Sequence, residues 1–262
     1  MPFIYKLKRV IIKMIPPFLF SLILNIRNYY SKKESPYQES QVESKLFLED
    51  VYYLSSNEII NIELKKLKYF GGISFVQNQH HFIKYYEDRK SLDSFYSNHC
   101  PKSIFASHYI NGHKDDKKRL PWLNQNYSDA KGEYGLSLNH GIQSYGPVTK
   151  QKLKLEKKRL DLSLKSIQSN GYLISKELPK GYFLVSESKE WVFLVVSGKH
   201  RVAALAHLNW KILPVILEPG LPRIINEVDI NNWPGVKQGV FSQDEARMIF
   251  LTYFRSPDQQ IN

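Results

Sequence analysis

One cysteine, Cys100, stands in 262 residues. It can form no internal disulfide and cannot assemble a thiolate metal cluster, and the count fits a reducing compartment. Long apolar runs are missing as well. The longest uncharged stretch of the N-terminal segment, Met14 to Ile26, is 13 residues, short of the ~20 that a helix needs to span a bilayer. No Walker A loop, dinucleotide fingerprint or Gly-x-Ser-x-Gly elbow occurs, and no internal repeat. His80, His81, His99, His108, His113 and His207 show no two-histidine-plus-carboxylate spacing of the kind zinc takes. Acid is the scarce charge: 25 Asp and Glu face 37 Lys and Arg, a formal net charge of +12. That balance points to an anionic partner rather than a cationic one, whether nucleic acid, acidic lipid, nucleotide or anionic glycan.

What is present describes a folded chain. An apolar content of 42% with 13% aromatics excludes wholesale disorder. The length suits one good core plus a smaller attached unit. Half of the excess charge sits in residues 1–35, where seven Lys and Arg stand against Glu34, a net +6. No small-x-small cleavage site follows the apolar stretch; Arg27-Asn28-Tyr29-Tyr30 comes next. Residues 1–30 therefore read as a basic amphipathic leader, broken at Pro16-Pro17, lying in the headgroup layer of an anionic membrane. A helix packed on the protein's own core is the rival. Residues 31–44 are polar and read as a linker.

The segment 45–130 is rich in Tyr, Phe and His and reads as an α+β unit that leans on the module C-terminal to it. "LFLEDVYYL" and "IELKKLKYF" are strand-like, and "SLDSFYSNHC" is helical. Residues 131–220 form a compact α/β module. "EYGLSLNHGI" is expected as a strand and "SYGPVT" as a turn. Leu153, Leu160, Leu164 and Ile167 then line one face of a helix that ends at Asn170-Gly171. "GYFLVSES" and "EWVFLVV" make a hairpin, a helix runs to about Leu208, and "KILPVIL" is the last strand. Residues 221–262 close the core with a helix headed by a Ser242/Glu245 capping box, its apolar face Ala246, Ile249, Phe250 and Phe254.

Chemistry concentrates where "LVVSGKHRVAALAHLNW" turns from strand to helix. A helix start offers unpaired N–H groups and partial positive charge to an anion. Gly198 admits close approach, and Ser197 can cap the helix or donate to a phosphate. Arg201 presents a fork for two phosphate oxygens, Lys199 a point charge, and His200 a hydrogen bond or a proton. A cap with solvated cations is the plainer alternative. The basic run 150–165 carries seven Lys and Arg against Glu156 and Asp161, and reads either as a solvated helix face or as an attractor of anions.

The span from Tyr145 to Ile216 resembles the ParB/sulfiredoxin superfamily domain. The likeness rests on Ser166-Ile167-Gln168-Ser169-Asn170-Gly171 before the hairpin, Gly198-Lys199-His200-Arg201 at the turn, Ala203-Ala204-Leu205, and Leu213-Pro214-Val215. It implies an α+β fold with a mixed sheet and flanking helices, and phosphate contacts at Ser197, Gly198, Lys199, His200 and Arg201. Tyr145, Gly146 and Thr149 would wall the same site. The His-Arg pair is shared with the sulfiredoxin and free-amino-acid-kinase branches. Lys199 stands where sulfiredoxins carry their catalytic cysteine, which disfavours sulfinic-acid repair and leaves Cys100 an ordinary semi-buried thiol. Lys199 and His200 also replace the Glu-Arg of the partition proteins, and no helix-turn-helix follows.

The resemblance implies ATP or another NTP with Mg²⁺, hydrolysed or used to phosphorylate an acceptor. Phosphotransfer needs a carboxylate for the metal or the acceptor proton. Glu133 and Glu156 flank the turn and both qualify, although either also reads as a surface charge; His200 is the proton-carrying candidate and His140 a weaker base. A basic Pro-Pro leader with such a module is similar to proteins of bacterial surface-polysaccharide assembly, which implies a sugar or lipid-linked glycan acceptor at the cytoplasmic membrane face. The rival expectations are a nucleic-acid-binding protein and a non-catalytic scaffold.

Overall fold

The computed structural model describes residues 36–37, 48–55, 57–76, 79–113, 119–125, 135–175 and 177–256. The leader 1–30, most of the linker and Glu133 lie outside these residues.

The fold is mixed α+β. Strands β1 (Ile60–Glu63) and β2 (Leu67–Lys68) precede helices α1 (His81–Glu87), α2 (Ser91–Asn98), α3 (Ile104–Ser107) and α4 (Lys150–Asn170). The hairpin β3 (Lys180–Val185) and β4 (Trp191–Ser197) follows, then α5 (Lys199–His207), β5 (Ile212–Leu217), β6 (Ile224–Asn226) and α6 (Gln243–Leu251). One six-stranded sheet runs β1-β5-β3-β4-β2, with β6 beside β3. The β3–β4 and β1–β5 pairs are antiparallel, whereas β2–β4, β3–β5 and β3–β6 are parallel. β5 and β6 share one edge of β3, against its first and second halves in turn.

The sheet is buried on both faces, which is why its strands read as continuous apolar runs. Strand alternation divides the core. Phe183, Val185, Phe193 and Val195 face Leu160 of α4 and Val202 and Leu205 of α5, while Tyr182, Leu184, Val192 and Leu194 face Trp122, Ile249 and Phe250. The alanines of α5 are small enough for the helix to lie between α4 and the sheet, and Val202, Ala203, Ala204 and Leu205 are fully buried. Each such Val or Leu contributes about 1.5–3 kcal/mol.

Several sequence expectations need correction. The stretch 46–54 holds no described strand but a short helix, Leu48–Val51, whose Val51 alone is buried. "IELKKLKYF" is not one strand: a 3-10 turn, Leu64–Lys66, separates β1 from β2. "EYGLSLNHGI" is, where described, a 3-10 turn at Leu138–His140 that ends on Gly141 at φ 87°. Pro36 and Tyr37 of the linker are tied to the body: Tyr37 donates from its amide to the Tyr172 carbonyl at 2.8 Å and stacks on Trp210. The Ser242–Glu245 capping box forms as expected, both reciprocal bonds present.

Candidate functional site

The Gly198 turn has the backbone its sequence suggested. Gly198 is the N-cap of α5 in the left-handed region, φ 78°, and accepts from the amides of Arg201 and Val202. A Cβ here would meet Pro179 Cα at 2.7 Å, so both conformation and space require glycine. No side chain caps the helix, so Ser197, the last residue of β4, does not serve as its cap.

The three basic side chains of the turn separate. Successive residues of a helix are about 100° apart, so positions 199 and 201 point to opposite sides. Lys199 lines a cavity of about 200 Å³ with Arg119 and Ser144, walled by Phe70, Leu123 and Leu221. Its ammonium lies 5.1 Å over the Tyr69 ring, whose hydroxyl donates to Ser144 Oγ at 3.2 Å. Arg201 lines a different cavity of about 280 Å³, with Ser163, Ser166 and Tyr172 near the end of α4; among the described residues it makes no ion pair. His200 turns into the core. The expectation that all three grip one anion is therefore corrected by helical geometry.

His200 meets Glu156, another residue singled out from sequence. His200 Nε2 lies 2.7 Å from Glu156 Oε2, Gln143 Nε2 donates to the same oxygen at 3.2 Å, and Lys152 Nζ stands 3.0 Å from Oε1. Arg159 adds a guanidinium at 3.6 Å. Glu156 has no exposed surface, which overturns its reading as a surface charge. Burial pushes its carboxyl up, but the His200 hydrogen bond and charge, then Lys152, outweigh that and hold it at about 2. Burial lowers His200 in turn, against the pull of the carboxylate. A carboxylate sealed among these donors has no room for a metal ion or an acceptor hydroxyl. Its role here is to join α4, α5 and the 142–145 turn.

The remaining candidates scatter. Thr149 caps α4, its Oγ1 accepting from the Lys152 amide at 3.3 Å and lying 2.9 Å from His140 Nδ1. Tyr145 and Gly146 line a third cavity of about 460 Å³, with Lys102 and Ser103. Gly146 follows from packing, since any Cβ there would overlap the Tyr96 carbonyl. Cys100 is exposed rather than semi-buried. The basic run splits by helical position: Lys150, Lys154, Lys158 and Lys165 form an exposed stripe, Lys152 is buried, and Lys157 pairs with Asp93.

Among the described residues no group of three His, Cys, Asp or Glu could hold a metal ion, and no helix is long and apolar enough to cross a membrane. Sequence reasoning missed Arg119, which no local pattern marks, and Gln143. It also missed the buried face of Lys152 and Glu156, for which a signal existed: Glu156 lies only about 40° around the helix from Leu160. No protein-family model matches the chain, and no curated protein or solved structure does either.

Proposed function

We propose that this chain is a nucleotide-binding protein of the ParB/sulfiredoxin kind, holding the ligand's phosphates in the cavity shared by Lys199 and Arg119. One observation carries the proposal: two cationic side chains, 80 positions apart in sequence, line a single small cavity at the first turn of α5 together with the Ser144 hydroxyl. Cations, a hydroxyl and the positive end of a helix suit phosphate oxygens, and Phe70, Leu123 and Leu221 offer apolar surface to a base. The lining contains no carboxylate, so magnesium would have no described protein ligand there. The order helix, hairpin, Gly-turn helix and strand supports the superfamily likeness.

Hydrolysis or phosphate transfer extends the proposal by one step. With Glu156 sealed, Glu133 is the carboxylate left for that work, and His200 acts by holding Glu156 rather than by touching a ligand. Residues 1–30 would keep the protein on an anionic membrane surface, the setting for a sugar or lipid-linked acceptor.

Thermal shift with ATP, GTP, ADP and inorganic phosphate tests the site. A saturating nucleotide should raise the melting temperature, since 100-fold excess over Kd is worth about 2.7 kcal/mol. Lys199→Gln and Arg119→Gln should each shrink the shift, while Arg201→Gln, in its separate cavity, should leave it unchanged. No shift in the parent protein, or an undiminished shift in both cavity variants, refutes the assignment. If turnover occurs, Glu133→Gln should stop phosphate release and keep the shift.

A further inference from the structure

A separate cavity of about 540 Å³ shares no lining residue with the Lys199 site. It opens between α1 and α2; His81, Phe95, His99 and Tyr109 line it, and they belong to a ladder of rings that begins in the core behind it. Phe75 stacks on His80 (4.3 Å), His80 on His81 (4.8 Å) and His81 on Phe95, at 3.8 Å with planes only 1° apart. Phe95 then reaches His99 (5.3 Å), which stacks on Tyr109 (4.9 Å). The ladder thus runs from the core to a tyrosine that is 41% exposed at the cavity mouth.

Two features of this wall are expensive for the fold alone. His81 is 3% exposed and neither of its ring nitrogens has a hydrogen-bond partner among the described residues; the Ser91 hydroxyl is in the same state. Burial, then the charges of neighbouring histidines, hold His81 well below its usual range, so it is neutral and keeps one donor and one acceptor. Each unsatisfied buried group costs about 1–3 kcal/mol. The second feature is Tyr109, at φ 57°. It is the C′ residue of a Schellman cap on α3: its amide donates to Ala106, and the Ile110 amide donates to Phe105. Glycine is the residue for that position, and a side chain there costs on the order of 1 kcal/mol. Strain kept in place of glycine at the mouth of a cavity, beside buried polar atoms without partners, motivates a search for a ligand.

The lining also selects the ligand. Lys84 and Asp88 cancel, and the other polar groups, Asn98 among them, are neutral, so the wall does not favour a phosphate. The inner ring faces are used within the ladder, which leaves no pair of faces to sandwich a planar base. We propose that this cavity binds an uncharged saccharide ring, its C–H face on Tyr109 and its hydroxyls bonded to Asn98 and Asp88 at the rim, with the His81 and Ser91 polar atoms just beneath the surface it covers. The site is independent of the nucleotide proposal.

Saturation-transfer NMR on the full chain tests it, with glucose, galactose and N-acetylglucosamine as probes beside adenosine and methyl phosphate, a phosphate that carries C–H protons. At least one neutral sugar should receive transfer. Tyr109→Gly should still fold, because the cap position accepts glycine, and should weaken sugar binding about fivefold. Asn98→Ala, at an exposed position, should fold normally and weaken binding as well. The proposal is overturned if no sugar responds, if adenosine or phosphate responds in place of sugar, or if both variants bind as the parent does.

Discussion

Glu156 and His200 are 44 positions apart, yet their side chains meet at 2.7 Å with both residues buried. The contact ties the middle of α4 to the first turn of α5, and so sets how the Gly198 turn is presented. Two polar residues that sequence reasoning assigned to a ligand thus spend their hydrogen-bonding capacity on each other. Lys152 completes the cluster, at 1% exposure.

Removing the carboxylate should leave a buried cation with no counter-charge on that side. Breaking a buried pair costs about 3–5 kcal/mol, whereas replacing the whole pair by apolar side chains of similar volume is often neutral. Glu156→Ala should therefore lower stability by about that amount in urea unfolding, and Glu156→Leu with Lys152→Met should recover most of it. A double variant no better than the single would show that the charges do not act as a pair.

Acid should weaken the fold before the carboxylates titrate. Burial, as the first cause, lowers His80 to about 3 and His108 to about 4, and takes His81 well below 6.5. Each of these histidines is neutral in the native state but takes a proton in the unfolded chain as pH falls through 6.5. The unfolded state then binds more protons, so stability is complete above 6.5 and falls towards 4 and 3. At pH 5 the loss is about 2 kcal/mol per histidine. Glu156 acts in the same direction lower down, its contribution present above 4.5 and lost as pH falls through about 2. Urea midpoints at pH 7, 6 and 5 should drop in sequence; a flat series would mean that the histidines bind protons equally in the native and unfolded states.

The legible parts of this fold were those encoded locally. The α4 period, the Gly171 stop, the hairpin, the β5 run and the Ser242 capping box each depend on residues within a turn or two of one another. Pairing was not legible. β2 is two residues long and exists because β4 lies beside it, and β1 finds β5 across 151 positions, Ile62 opposite Leu213. The site was half legible: the Gly198 backbone followed from its sequence, but Arg119 comes to share a cavity with Lys199 only through tertiary folding. The split between Lys199 and Arg201 was derivable from helical geometry alone.

Trp122 and Tyr182 test the second core face. The Trp122 indole N–H donates to the Tyr182 hydroxyl at 2.9 Å, with both residues buried. Tyr182→Phe keeps the ring and strands the indole donor, at a cost of about 1–3 kcal/mol. Trp122→Phe on that background should then cost less than it does alone, because the donor it removes is already unpaired. Additive losses in a double-mutant cycle would deny the bond any energetic role.

Gly198→Ala tests the turn itself. The methyl group must hold a left-handed backbone at φ 78°, which costs about 1–2 kcal/mol for an L-residue. It must also enter space where Pro179 Cα stands 2.7 Å away, so β3 and α5 have to move apart at their shared start. Separation there shifts the first turn of α5, and with it Lys199, relative to Arg119 and Ser144. Stability should fall by at least about 1 kcal/mol in urea unfolding, and any nucleotide-induced thermal shift should shrink further than the stability loss explains. A stable Gly198→Ala protein with an undiminished shift would mean that the turn tolerates a side chain and that its tight approach to Pro179 has no part in binding.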